Sequence, residues 1–187
     1  MRKKIIFKDS IEYIQRKIKD VLDKVSQEDV NKIKGLFFKS RRIFVYGAGR
    51  SGLVAKAFAI RLVHLGFQTF VIGETITAPV KKGDLVIIIS GSGETIPAVM
   101  TAEIAHKIGA RVVSITGKRK SEIAKYADIT LFISATCNDV ERKKYAPLGT
   151  LFEASVWILL DGIIADLLES KNETEEEMRS RHATLEH

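Results

Sequence analysis

The sequence has little cysteine and no long hydrophobic run. One cysteine, Cys137, excludes an intrachain disulfide and is typical of a reducing compartment, so we expect a cytoplasmic protein. No apolar run approaches the ~18 residues that a membrane-spanning helix needs. Only three apolar residues follow the basic start before Lys8, which is too few for a secretory signal. The sequence therefore predicts a protein without a membrane partner.

Patterns for metal and nucleic-acid binding are also missing. No cluster of His, Cys and Asp has metal-ligand spacing, so we expect no metal. The net charge of +7 lies entirely in residues 1–42, which hold 13 Lys and Arg against 6 Asp and Glu, while the rest of the chain holds 17 of each. This excess is compatible with nucleic-acid binding or with a solvated helical surface. Because zinc patterns, RNP-like aromatic motifs and Arg-rich arms are absent, we expect no nucleic-acid partner.

Hydrophobic periodicity indicates one domain over residues 1–187. In chain order we expect N-terminal helices over 1–40, a strand–helix core over 42–133, an irregular polar segment over 134–149 and C-terminal helices over 150–186. The core strands are predicted over 43–46, 68–72, 85–89, 111–115 and 129–133. Helices are predicted between them over 53–65, 96–108 and 121–126, and a long apolar helix over 150–168. Buried strands that alternate with helices imply an α/β fold, a doubly wound five-stranded parallel sheet flanked by helices.

The segment Ser90–Thr95 lies between a buried strand and a predicted helix that begins at Ile96. Its glycines let the backbone approach a ligand closely, and the free N–H groups of a helix start favour an anion. Its three hydroxyls can donate to phosphate oxygens. We therefore predict a phosphate cradle for a small phosphorylated metabolite. Glu94 either accepts from a sugar hydroxyl or complements the start of the helix.

A second polar loop, Gly47–Gly52, follows the first strand with the spacing G-x-G-x-x-G. The spacing is also typical of dinucleotide-binding proteins, and Glu74 lies where a ribose-binding acid is expected. However, Arg50 and Ser51 place a cation and a hydroxyl where such loops are usually small and apolar. Two polar loops at the ends of parallel strands favour one compact ligand between them, although glycines used only for tight turns are an alternative.

Together, these two strand–loop–helix units resemble the sugar isomerase (SIS) domain family, which binds phosphosugars on a five-stranded parallel sheet. Within it the chain is similar to 6-phospho-3-hexuloisomerases. The narrower resemblance is carried by the segments Arg61–Phe67, Val71–Thr75, Tyr145–Glu153 and Arg181–Glu186. It implies interconversion of D-arabino-hex-3-ulose 6-phosphate and D-fructose 6-phosphate in ribulose monophosphate metabolism, which fixes or supplies formaldehyde. It also implies no cofactor and a homotetramer with active sites at subunit interfaces.

The resemblance assigns roles to particular residues. Glu153 matches the catalytic base, and His182 matches a C-terminal histidine that reaches the active site of a neighbouring subunit. The substrate-binding residues that we expect are Gly47, Arg50, Ser51, Ser90, Gly91, Ser92, Gly93, Glu94 and Thr95.

The chemistry suits Glu153 and His182. A carboxylate can move a proton between neighbouring carbons if an apolar setting raises its pKa, and apolar residues surround Glu153 in the sequence. A histidine can transfer protons between oxygens near neutral pH. Each residue also has a plain alternative: Glu153 complements a helix dipole, and His182 is an inert tail residue.

Three other functions are also compatible with the sequence. One is another phosphosugar isomerase of the SIS family, such as one that acts on heptose or arabinose phosphates. The second is a non-catalytic SIS module that senses a phosphosugar. The third and weakest is a nucleotide-binding oxidoreductase.

Overall fold

Five parallel strands form one sheet in the order β2-β1-β3-β4-β5. The computed structural model describes residues 6–135 and 140–184. The strands are β1 Ile43–Gly47, β2 Thr69–Val71, β3 Leu85–Ser90, β4 Arg111–Thr116 and β5 Ile129–Phe132. All six residues of β3 are buried, as expected for a central strand covered on both faces. The doubly wound five-stranded sheet that the sequence predicts is confirmed.

Helices cover both faces of this sheet. They are α1 Ile6–Leu22, α2 Gln27–Lys39, α3 Arg50–His64, α4 Ile96–Ile108, α5 Val140–Tyr145, α6 Thr150–Lys171 and α7 Glu175–Ser180, with a short 3-10 helix at Ile123–Tyr126. One core cluster joins the sheet to α2, α3 and α6, with single contributions from α1 and α7. On the other face, α4 and the 3-10 helix pack on a smaller cluster. No described helix is long and apolar enough to cross a membrane.

Helices α3 and α5 differ from the sequence prediction. Helix α3 begins at Arg50, three residues earlier than predicted, so Gly52 lies inside its first turn. The prediction that residues 134–149 are irregular is wrong where α5 forms. Only Tyr145 of α5 is buried, so the helix has no apolar period that a sequence pattern can reveal. Cys137 and residues 185–187, where the predicted C-terminal helical region ends, lie outside the described residues.

The strand order brings the two polar loops together. From β1 the chain moves outward to β2 and then returns to β3 on the other side of β1. The loops that follow β1 and β3 therefore lie side by side at the carboxyl ends of the strands, which we call the carboxyl edge of the sheet. This reversal point is where open parallel sheets form their ligand crevice.

Candidate active site

The loop after β3 orders its hydroxyls by bonds to its own backbone. The Gly93 N–H donates to Ser90 Oγ at 3.1 Å, and the Glu94 N–H donates to Ser92 Oγ at 3.2 Å. Thr95 Oγ1 lies 3.4 Å from Ser90 Oγ and 3.3 Å from Ser92 Oγ. Three hydroxyls are thus gathered at the start of α4, where unpaired backbone N–H groups favour an anion. The arrangement is suited to phosphate oxygens.

The turn after β1 uses its glycines for close packing. A Cβ on Gly52 would lie 2.5 Å from the Gly47 carbonyl oxygen, and a Cβ on Gly47 would lie 2.6 Å from the Ser51 backbone. Helix α3 therefore starts against the end of β1, which places the buried Ser51 at the carboxyl edge of the sheet. Glu74, the acid expected in a dinucleotide site, instead pairs with Lys56 at 2.5 Å.

A cavity of about 530 Å³ lies between these loops and the start of α6, within the size range of small-molecule sites. Six of the predicted site residues line it, namely Ser51, Ser90, Gly91, Ser92, Thr95 and Glu153. The sequence prediction missed further lining residues, which include Lys118, Arg142, Leu148, Gly149 and Phe152. These residues lie in the loop after β4, in α5, in the connection from α5 to α6 and at the start of α6, and only the folded chain brings them beside the two polar loops.

The Glu153 carboxylate is held in the first turn of α6 and is mostly buried, with 20% of its side chain exposed. Arg50, the first residue of α3, donates from Nη2 to Glu153 Oε2 at a distance of 2.7 Å. Burial raises the pKa of the Glu153 carboxyl, although Arg50, the backbone N–H and Ser51 act in the opposite direction. A carboxylate with a raised pKa in the wall of a ligand-sized cavity is suited to taking up and returning a proton.

The remaining predicted contacts do not line this cavity. Arg50 contacts the cavity-lining residue Glu153 by a hydrogen bond. Gly47 packs closely against the backbone of Ser51, which lines the cavity. Gly93 has φ of +67°, and a Cβ there would lie 2.5 Å from Ser121 Oγ. It therefore allows the loop to turn and to pack closely against Ser121. Glu94 is exposed.

His182 lies far from the cavity of its own chain. Its ring packs on the ring of His64, with 4.6 Å between centroids, and the neighbouring Arg181 donates to the His64 carbonyl at 2.9 Å. His64 is the last residue of α3, whose first residue, Arg50, contacts Glu153. The helix has 15 residues, so roughly 20 Å separate the histidine pair from the cavity. His182 and Glu153 of one chain therefore lie at opposite ends of the strands, His182 at the amino ends (the amino edge) and Glu153 at the carboxyl edge.

A family model described as SIS domain matches residues 36–160, which is more than half of the chain. The chain belongs to the SIS domain family. The match spans the sheet, both polar loops and the first half of α6, and thus includes Ser51, Ser90 and Glu153. His182 lies beyond it.

This SIS domain is similar to 3-hexulose-6-phosphate isomerase of Methylomonas aminofaciens, with 38% identity over 176 residues, 94% of this chain and 97% of the relative. It is 39% identical over 165 residues to the protein of that name from Bacillus subtilis strain 168, with 87% and 89% of the chains covered. A crystal structure of a hypothetical protein from Methanococcus jannaschii superposes with a TM-score of 0.85 at 32% identity, over 95% of this chain and 99% of that one. A 3-hexulose-6-phosphate isomerase function has been inferred for that protein.

Proposed function

We propose that this SIS domain is a 6-phospho-3-hexuloisomerase, which interconverts D-arabino-hex-3-ulose 6-phosphate and D-fructose 6-phosphate. The observation that carries the proposal is a carboxylate of raised pKa, Glu153, in the same cavity as the hydroxyls of Ser90–Thr95. The loop binds the phosphate, and Glu153 faces the carbon atoms. The relatives named 3-hexulose-6-phosphate isomerase, which are 34–39% identical over most of this chain, favour this substrate.

The reaction moves a carbonyl from C3 to C2 by two proton transfers. Glu153 removes the C2 proton, so that a C2–C3 double bond forms and C3 becomes a hydroxyl carbon of an enediol. The same carboxyl then returns the proton to C3 while the C2 hydroxyl loses its proton and becomes the carbonyl. One base on one face serves both steps, and the oxygens exchange their proton through a second group. His182 of another subunit is our candidate for that group, because imidazole titrates near neutral pH.

An exposed apolar surface supports an assembly around the site. Leu53 on α3 is 63% exposed, and Trp157 and Ile158 on α6 are 46% and 49% exposed. These side chains line a groove of about 440 Å³ that also contains Arg50 and Glu153. Large exposed apolar patches mark interaction surfaces, so this one favours subunits that meet beside Glu153, and we propose that they form the homotetramer implied by the family resemblance. We further propose a cytoplasmic enzyme of ribulose monophosphate metabolism, without a cofactor.

Two rival functions are less well supported. A sensing module needs the phosphate cradle but has no use for a carboxylate of raised pKa beside it. A dinucleotide-binding protein needs an acid free to hold a ribose, whereas Glu74 pairs with Lys56 outside the cavity.

The direct test is incubation of the purified protein with D-arabino-hex-3-ulose 6-phosphate and an enzymatic assay of fructose 6-phosphate. We expect turnover without added metal or cofactor. Arabinose 5-phosphate serves as the comparison substrate, and a preference for it would replace the proposed activity with another phosphosugar isomerisation. Binding of fructose 6-phosphate without turnover would favour the sensing function.

Gly149→Ala is expected to slow turnover without unfolding the protein. A Cβ at Gly149 would lie 2.7 Å from Glu153 Oε2 and 2.9 Å from Arg50 Nη2, whereas its φ of −85° suits any residue. The methyl group therefore displaces the carboxylate, and a displacement of about 1 Å costs about 10²-fold in rate. Gly35→Ala in α2, where a Cβ meets nothing within 4 Å, is the control and should retain full activity. Equal kcat values for the two variants would contradict the role of Glu153.

A further inference from the structure

The loop after β4 is bound rigidly to the loop after β3. The Gly117 N–H donates to the Gly91 carbonyl at 3.1 Å, and the Ile123 N–H donates to the Gly93 carbonyl at 3.1 Å. A Cβ on Gly117 would lie 2.8 Å from the Gly91 oxygen, so the two backbones touch. The segment that follows β4 is thereby held at a fixed position beside the hydroxyls of Ser90–Thr95.

Three consecutive cations lie in this segment, and only the first lines the cavity. The Arg119 guanidinium lies 4.4 Å from the centre of the Phe132 ring, which holds it over β5. Lys120 is exposed and does not contribute to the cavity wall. Lys118 does, and its backbone N–H donates to Thr116 Oγ1 at 3.3 Å.

Lys118 is the cation of the cavity wall that directly follows the backbone contact with the loop after β3. A phosphate monoester carries about −1.5 to −2 charge at pH 7, whereas hydroxyls are neutral and a helix start supplies only about half a charge. Arg50 is paired with Glu153 at 2.7 Å, and Arg142 keeps its charge but donates at 3.1 Å to the carbonyl of Leu148, just before α6. Among the described residues Lys118 takes part in no ion pair. Its ammonium group is therefore a positive charge beside the hydroxyls of Ser90–Thr95 that no carboxylate of the described residues neutralises.

We propose that Lys118 binds the phosphate of the sugar phosphate and selects phosphorylated sugars over neutral ones. The proposal rests on the function proposed above, because it assigns the phosphate to the loop after β3. A lysine on a rigid loop acts on phosphate as a point charge, so its contribution follows the charge of the ligand. It adds to the ground-state binding that the hydroxyls provide and takes no part in the proton transfers.

Lys118→Gln tests this assignment. We expect the KM for the hexulose phosphate and the Kd for fructose 6-phosphate to rise about tenfold, as for loss of one charge-assisted bond, with kcat within about twofold of the unchanged protein. Lys118→Arg should restore most of the affinity, since it retains the charge. Lys120→Gln, two residues further along the same loop, is the matched control and should bind normally.

Isothermal titration calorimetry with fructose 6-phosphate and with fructose separates this assignment from the activity itself. Weakened binding of fructose 6-phosphate by Lys118→Gln supports the assignment even if the unchanged protein fails to isomerise it, an outcome that would refute only the proposed function. Unchanged affinity in Lys118→Gln, an equal loss in Lys120→Gln, or unchanged protein that does not bind fructose 6-phosphate would each overturn it.

Discussion

Glu153→Gln is expected to reduce isomerisation about 10³-fold, because it removes the base that carries the proton between C2 and C3. The amide has nearly the same shape as the carboxyl group and can still lie beside Arg50. The phosphate loop is untouched, so the Kd for fructose 6-phosphate should stay within about threefold of that of the unchanged protein. Stopped assays of turnover and calorimetry of binding measure the two quantities separately.

The pH profile provides a second signature of the same residue. A base must be ionised to accept a proton, so the rate should rise with pH through the pKa of Glu153. Because burial raises this pKa, the rise should occur at higher pH than the pKa of about 4.3 of an unperturbed glutamate. Glu153→Gln should lack this limb.

Glu169→Gln is the control for this substitution, since it changes an exposed carboxylate on the same helix. It should keep both the rate and the pH limb of the unchanged protein. An active Glu153→Gln protein with an unaltered acidic limb would show that another group is the base.

Mixing two inactive variants is expected to restore activity if His182 acts at the cavity of another subunit. His182→Asn removes the proposed proton carrier and should lower the rate about 10²-fold, and Glu153→Gln removes the base. Their active groups lie roughly 20 Å apart within one chain, so neither variant can repair itself. A hybrid assembly contains some cavities that have Glu153 from one subunit and His182 from a neighbour.

If the two variants assemble at random in equal amounts and each cavity takes its histidine from one other subunit, half of the cavities contain Glu153. About half of these receive His182, so about a quarter of full activity is expected. Co-expression with two different affinity tags isolates the hybrids, and light scattering gives their subunit number. Hybrids of Glu153→Gln with the double variant are the control and should stay inactive. Absence of recovery in a confirmed hybrid, or full activity in a monomer, would refute the role in another subunit.

The sequence predicted the elements that carry local signals. Helix α4 has the predicted bounds, since Pro97 suits its first turn and Gly109 ends it with φ of +82°. Helix α5 was missed because its four consecutive charged residues offer no buried stripe. The family resemblance supplied Glu153 and His182, which local patterns alone left undecided.

The complete cavity was beyond sequence patterns for a different reason. Sheet order is a long-range property, and it decides that the loop after β4 lies against the loop after β3. Lys118 carries no motif of its own, so its presence in the wall follows only from tertiary contacts. The 4.6 Å contact of His182 with His64 likewise joins residues 118 positions apart in the chain.

The location of His182 and Glu153 at opposite edges of the sheet restricts how subunits can exchange histidines. If two subunits each supply a histidine to the other's cavity, the amino edge of each sheet must lie beside the carboxyl edge of the other sheet. A two-fold rotation axis roughly perpendicular to the strands satisfies this condition, whereas an axis along the strands leaves both histidines at the same end, away from both cavities. The strands of the two sheets must then run antiparallel to each other across the contact.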